Sequence, residues 1–241
     1  MPDQVRHDED KQLTHMNEHT VKAFDADIGE LRGLISQMGG LAEEQIGKAM
    51  LALQRGDHTL ATQVRADDKA IDAIEAEVER LAVRIIALRA PLANDLREVV
   101  AALKIASVLE RIGDYAKNIA KRVPLIDDTG DRIEPISVLP AMGRMASEMV
   151  HDVLDAFAAR DADAAVRVCE SDTALDDFYD SIFRTLVTFM VESPRTISQV
   201  AHLLFVAKNL ERIGDHAGNV AEMVYFAATG TQIADRLPAK S

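Results

Sequence analysis

The residues of this chain best suited to chemistry are carboxylates and amides that recur at helical spacing. They form two sets in which Glu, Asp and Asn stand four residues apart: Glu110, Asp114 and Asn118, and Glu211, Asp215 and Asn219. Positions four apart lie on one face of an α-helix, so each set presents its oxygen atoms together. Hard cations such as Mg²⁺, Ca²⁺, Mn²⁺ and ferric iron bind to ligands of this kind.

Two pairs of aspartates precede these sets in the chain. They too are spaced four apart: Asp68 and Asp72, and Asp172 and Asp176. Packing each pair against the set that follows it would bring four carboxylates and an amide to one surface. We therefore expect these ten residues to bind divalent or ferric ions, with Mg, Mn, Fe and Zn as the candidates. The alternative interpretation is a solvated acidic face that binds no metal.

An internal repeat connects the two halves. The segment Leu109–Lys121 returns 101 positions later as Leu210–Glu222, which indicates one structural unit used twice. Both copies also keep a glycine, Gly113 and Gly214. Glycine costs about 1 kcal/mol relative to alanine inside a helix, so we expect another backbone or a ligand to approach closely there.

Helical periodicity extends through nearly the whole chain from Val21, and no long segment alternates with period two. The predicted fold is all-α, with two tandem antiparallel three-helix bundles related by the repeat. The expected divisions are a flexible N-terminal tail (1–20), a first bundle (21–125), a linker (126–140), a second bundle (141–229) and a C-terminal tail (230–241). Asp57, Asp161 and Ser193, the last followed by proline, are predicted helix N-caps.

Composition excludes several classes of protein. The net charge of −13 argues against nucleic-acid binding, which requires clustered Lys and Arg. The single cysteine, Cys169, excludes an internal disulfide and indicates a reducing compartment. No uncharged apolar stretch reaches the roughly 18 residues of a membrane span, and the N-terminus lacks the apolar core of a signal peptide. We expect a soluble, cytoplasmic protein that does not insert into a membrane.

No pattern of an activated nucleophile with its base is present, so we do not expect an enzyme. His216 follows Asp215 directly, but its helical position matches Tyr115 at the edge of the core face. We therefore predict that His216 is a hydrogen-bonded boundary residue.

The duplicated Leu-Glu-Arg-Ile-Gly-Asp segments, each followed by Ala-x-Asn-Ile/Val-Ala, resemble the PhoU family over about Phe24 to Gly230. The resemblance implies two three-helix bundles and a non-enzymatic protein that restrains the phosphate-starvation response when phosphate is plentiful. It implies two partners: the ATPase of the phosphate transporter and a membrane-bound sensor histidine kinase. It also implies metal-associated acidic motifs at the ten residues named above. Lys121 stands where the second copy has Glu222, which predicts unequal metal loading of the two halves.

Three hypotheses follow for function. The first is a cytoplasmic regulatory adaptor, held at the inner face of the membrane through its partners and forming a homodimer. The second is a metal-binding carboxylate protein, acting as a cation store or a metal-dependent hydrolase. The third is a structural dimeric scaffold.

Overall fold

The structure is a computed structural model that describes residues 2–127 and 137–233, with side chains described from residue 23 onward. The chain is helical, and its helices are α1 (Pro2–Arg55), α2 (His58–Arg89), α3 (Asn94–Ala120), α4 (Val123–Asp127), α5 (Leu139–Ala159), α6 (Ala162–Glu192) and α7 (Ile197–Thr229). The first bundle consists of α1, α2 and α3, and the second of α5, α6 and α7. The predicted fold class is confirmed. No helix within the described ranges is both long and apolar enough to cross a membrane.

Alternating apolar residues of the helices form one continuous core. Helices α3 and α7 pack against each other as well as against their own bundles, and α1 packs against α5. The motif helices contribute fully buried side chains from equivalent positions: Leu109 and Ile112 in α3, and Leu210 and Ile213 in α7. Burying an aliphatic side chain stabilises a fold by about 1.5–3 kcal/mol. The repeat therefore fixes the same packing surface twice.

Two of the predicted helix caps are confirmed. The side chain of Asp57 accepts a hydrogen bond of 2.9 Å from the backbone N–H of Leu60. That of Asp161 accepts bonds of 2.9 Å from the N–H groups of Asp163 and Ala164. Each satisfies donors that a helix start leaves without partners.

The prediction at Ser193 holds only in part: Ser193 precedes a short 3₁₀ helix that has proline at its start, but its side chain makes no capping hydrogen bond. Ser193 ends α6, because its N–H donates to the carbonyl of Phe189 at 2.9 Å. A short 3₁₀ turn, Pro194–Thr196, follows it before α7 begins. In that turn the N–H and hydroxyl of Thr196 both donate to the carbonyl of Ser193, at 2.9 and 2.8 Å. These bonds use Ser193 as a backbone acceptor rather than as a side-chain cap.

The ends of the predicted divisions differ from the helix bounds. Backbone of residues 2–20 is helical, whereas the sequence predicts a loose tail there; no glycine interrupts the chain before Gly29. Of the predicted linker, α4 and the start of α5 are described, and residues 128–136 lie outside the described residues. Residues 234–241 of the predicted C-terminal tail also lie outside them. The division into these five segments stays a prediction.

A local two-fold relationship between the halves centres on Tyr115 and His216. These residues occupy the same position of the repeat, and their rings meet edge to face with 5.2 Å between centroids. The Nδ1–H of His216 donates to the carbonyl of Arg212 at 2.8 Å, which confirms it as a hydrogen-bonded boundary residue. Edge-to-face packing of this kind favours a defined crossing of α3 and α7.

Candidate functional site

Three aspartates of the second bundle converge on one point. Asp172 and Asp176 lie one turn apart on α6, and Asp215 lies on the facing surface of α7. One oxygen from each carboxylate lies within 4.8 Å of the other two. Three like charges at this separation repel one another, and a bound cation would relieve that repulsion. An all-oxygen set of this size suits Mg²⁺ or Mn²⁺ as ligands.

Gly214 explains how the two helices bring these carboxylates together. A Cβ atom at this position would lie 2.2 Å from Cδ2 of Leu175 and 3.5 Å from Oδ1 of Asp172. The missing side chain therefore lets α6 lie directly against α7. The sequence predicts the approach of a backbone or a ligand at this glycine, whereas the atoms nearest to it belong to the side chain of Leu175.

Glu211 lies one turn before Asp215, and one of its two carboxylate oxygens has no hydrogen-bond partner among the described residues. The side chain is only 12% exposed, and its Oε1 accepts a hydrogen bond from Lys208. Its Oε2 is buried and has no hydrogen-bond partner among the described residues. Burial by itself would lower the pKa of Lys208, but the bond to Glu211 and the negative charges of Glu211 and Asp215 together raise that pKa. A buried acceptor without a partner is costly, and a cation beside it would remove that cost.

In the first bundle a lysine is bound by the corresponding acids. The ammonium of Lys117 pairs with Asp68 and lies 2.5 Å from Oδ1 of Asp114. Asp68 is buried, with a side chain 7% exposed. Burial by itself would lower the pKa of Lys117, but its hydrogen bonds to Asp114 and Asp68 raise that pKa well above its usual range. Lys117 therefore stays charged and neutralises the point where a cation would lie.

Glu110 belongs to a separate acidic group on the same bundle. Burial, together with the neighbouring charges of Asp114, Glu75 and Asp72, raises the pKa of Glu110 from 4.5 to about 7. Burial also raises the pKa of Glu75. Carboxylates crowded in this way share protons near neutral pH. The protonation of Glu110 therefore changes at a pH between 4.5, the ordinary pKa of a glutamate, and about 7.

The two asparagines do not join the carboxylates in the same way. Asn118 accepts a hydrogen bond of 2.9 Å from Lys121, so Lys121 binds its neighbour on α3. Asn219 is exposed and lines a groove between α3 and α7 instead of the aspartate cluster. The structure thus brings together Asp172, Asp176 and Asp215, and places Asn219 elsewhere.

The sequence indicates that Lys117 partly neutralises the acidic face, but not that it pairs with Asp68 on α2. The counterpart of Lys117 in the second copy is Gly218, and a Cβ at Gly218 would have no heavy atom within 4 Å. The open space beside the second cluster is therefore the space that Lys117 fills beside the first. Aligning the two copies of the repeat shows that Lys117 corresponds to Gly218. The contact between α2 and α3 then shows that this lysine pairs with Asp68.

Comparison with known proteins gives one consistent family. A family model described as the PhoU domain matches the chain twice, over residues 35–123 and 139–224. A relative from Zymomonas mobilis, named a phosphate-specific transport system accessory protein PhoU homolog, is 57% identical over 92% of this chain and 93% of its own. One with the same name from Caulobacter vibrioides is 44% identical over 92% of this chain and 97% of its own.

Two solved structures have the same fold. The crystal structure of PhoU from Pseudomonas aeruginosa superposes with a TM-score of 0.83 at 40% identity, covering 86% of this chain and all of that one (100%). The crystal structure of the phosphate transport system regulatory protein PhoU from Streptococcus pneumoniae superposes with a TM-score of 0.81 at 30% identity, covering 87% of this chain and 98% of that one.

Proposed function

The chain belongs to the PhoU family, whose members are regulatory accessory proteins rather than enzymes, and we propose that it regulates phosphate uptake and represses the phosphate-starvation response. The observation that carries the proposal is the PhoU domain match in both halves, together with 57% identity to a named accessory protein of phosphate-specific transport. A double domain with this identity over nearly the full length supports the same role in this chain.

The protein would act as a cytoplasmic adaptor between two partners. One is the ATPase subunit of the phosphate transporter, and the other is the membrane-bound sensor histidine kinase. Two acidic faces, one on α2 and α3 and one on α6 and α7, offer separate surfaces for contact. Their negative charge favours partners with basic surfaces, because complementary charge speeds and orients association. A homodimer would double these surfaces, and sedimentation velocity measures whether it forms.

The test of this function is a reporter measurement in living cells. Output of a phosphate-starvation promoter is measured in high phosphate with this gene present, deleted and restored. High output in the deletion, silenced on restoration, is the expected result. Unchanged output would contradict the regulatory function. Affinity capture from the same cells, with each partner measured by quantitative mass spectrometry, then checks the two contacts.

We also propose that the second bundle binds a divalent cation. Asp172, Asp176 and Asp215 would hold it, and the unpartnered oxygen of Glu211 supports a positive charge nearby. When bound, the ion would neutralise the acidic face and so change the charge shown to a partner. The first bundle does not fit a cation in the same place, since Lys117 already pairs with Asp68 and Asp114.

The alternative function is a cation store or a metal-dependent hydrolase, and the aspartate cluster is the observation in its favour. Elemental analysis of protein purified without chelator distinguishes it from the adaptor. A store would carry several ions per chain, whereas the structure supports one. If the protein is a hydrolase, Asp215→Asn should abolish its hydrolytic activity. Repression of the promoter in the reporter assay would not depend on that activity.

A further inference from the structure

A groove lies between α3 and α7. It has a volume of about 620 Å³. The first half of α3 and the second half of α7 form its walls, and Ile233 also lines it. His216 of α7 lines the groove, and its ring contacts that of Tyr115 on α3. The groove is thus bordered by two antiparallel helices.

A row of three cations follows the α3 wall. Arg97, Lys104 and Arg111 line the groove at intervals of seven residues. Lys104 and Arg111 are exposed, and neither forms an ion pair with any carboxylate of the described residues. At 1.5 Å per residue, successive cations are about 10 Å apart along the helix. The chain has a net charge of −13. A row of basic side chains without acidic partners is therefore unusual in it and indicates a binding surface.

Apolar residues line part of both walls, and the α7 wall also carries His216, Asn219 and the acidic Glu222. Val100 and Val108 alternate with the cations on α3, and Met223 and Phe226 face them from α7. Phe226 remains 39% exposed and Val100 37% exposed. A basic border over an apolar floor matches an amphipathic anionic ligand, because one side of it can be buried while the other pairs with the cations.

The repeat shows what closes such a groove. Lys104 and Met223 correspond to Phe205 and Arg122 in the other copy. There the guanidinium of Arg122 lies over the ring of Phe205, 3.8 Å from its centroid. This contact joins the turn that follows α3 to α7 at the equivalent position of the repeat. Lys104 and Met223 cannot form such a stacking pair, and both of them line the groove.

We propose that this groove binds an amphipathic α-helix of a partner protein, with acidic residues at every seventh position and apolar residues beside them. A helix fits because its own side chains repeat over the same distance as the three cations. A small anion would engage one cation and leave the row unused. The inference does not depend on the cation of the second bundle or on the identity of the transporter partners.

A designed peptide provides the direct test. A fluorescein-labelled, lactam-stapled helix of about three heptads carries Glu at every seventh position and Leu on the adjoining face. Its binding to the full-length protein is measured by fluorescence anisotropy at low salt. The expected result is binding at least about tenfold tighter than that of a peptide of the same composition with its Glu residues clustered. Binding should weaken as salt increases, because the contacts are charged and exposed.

Two double variants locate the binding. Lys104→Glu with Arg111→Glu reverses two of the three charges, and we expect Kd to rise by about tenfold or more, since like charges face each other. Lys104→Phe with Met223→Arg copies the closed arrangement of the other half and should abolish binding. The matched control is Arg80→Glu with Arg144→Glu, two exposed arginines of α2 and α5, which should leave Kd unchanged. Circular dichroism confirms that each variant is folded.

Three results would overturn the proposal. The first is equal binding of the patterned and clustered peptides. The second is unchanged peptide binding in both groove variants. The third is a different occupant: charge reversal that dissociates a dimer in sedimentation velocity, or releases the protein from phosphatidylglycerol vesicles, with peptide binding unaffected. These readouts are independent of the promoter assay, so the groove and the regulatory function can fail separately.

Discussion

The ammonium of Lys117 lies 2.5 Å from Oδ1 of Asp114 and also pairs with Asp68, while the equivalent position of the second bundle is Gly218. In the first copy a lysine thus pairs with two aspartates. In the second, Lys208 pairs with Glu211 instead, and a Cβ at Gly218 would meet no heavy atom within 4 Å. The two bundles share a backbone plan and differ in the charge at their acidic face. This asymmetry leads to a set of predictions.

Gly218→Lys should abolish metal binding by the second bundle. Because no heavy atom lies within 4 Å of the added Cβ, the lysine can enter without a clash and pair with the aspartates as Lys117 does. Inductively coupled plasma mass spectrometry should show the loss of about one ion per chain. Gly218→Ala is the matched control: it should keep the metal and raise the free energy of unfolding by about 1 kcal/mol through helix propensity. Equal metal content in the two variants would contradict the assignment.

Lys117→Ala should create a second metal site. Removing the ammonium leaves Asp68 and Asp114 without their partner, and Asp68 is buried. In metal-free buffer the variant should be less stable than the parent, because a buried carboxylate has lost its counter-charge. Added Mn²⁺ should restore thermal stability, and metal content should rise from about one to about two ions per chain. A variant that Mn²⁺ does not stabilise would show that the first cluster cannot hold a cation.

Stability should decrease between about pH 4.5 and pH 7 through Glu110. Its pKa is raised from 4.5 to about 7 in the folded protein, so the folded state holds the proton more tightly than the unfolded chain does. The contribution is complete below pH 4.5 and is lost as pH rises through about 7. Glu110→Gln should make the free energy of unfolding less dependent on pH across this window, as urea titrations at several pH values would show. Glu77→Gln, at an exposed position of α2, is the control, and the same flattening there would contradict the assignment to Glu110.

Glu98→Ala should destabilise the protein at the contact between the bundles. Glu98 of α3 is buried, and its two oxygens each lie 2.5 Å from an arginine, Arg32 of α1 and Arg160 after α5. Both arginines are partly exposed and can regain water, so the expected loss is about 1–3 kcal/mol in the free energy of unfolding. Chemical denaturation measures it. Arg84→Ala removes only exposed ion pairs and should cost less than about 1 kcal/mol.

Gly214→Ala should destabilise the second bundle despite alanine's higher helix propensity. The new Cβ would lie 2.2 Å from Leu175, a fully buried side chain that cannot move into solvent. Overpacking of this kind costs about 1–3 kcal/mol. Thermal unfolding should therefore show a lower Tm for Gly214→Ala and a higher one for Gly218→Ala. A higher Tm for both would show that α6 and α7 separate without cost.

Much of the fold follows from local signals. The duplicated segments predict two equivalent bundles, and the caps at Asp57 and Asp161 predict where α2 and α6 begin, because an aspartate before a helix satisfies that helix's own N–H groups. The same local logic holds only in part at Ser193, whose carbonyl is used by Thr196. In the sequence, a serine that caps a helix cannot be distinguished from a serine in a turn. The conformation of the backbone that follows distinguishes the two.

The acidic residues, their helical spacing and the glycines at which the helices approach are all visible in the order of residues, because each depends on positions within one helix. Which acids meet depends on the packing of the helices. Asp215 joins Asp172 and Asp176 from another helix, Lys117 reaches Asp68 on α2, and Asn219 faces the groove instead. Contacts between helices depend on how the helices are rotated and packed against one another, and spacing along a single helix carries no information about that geometry.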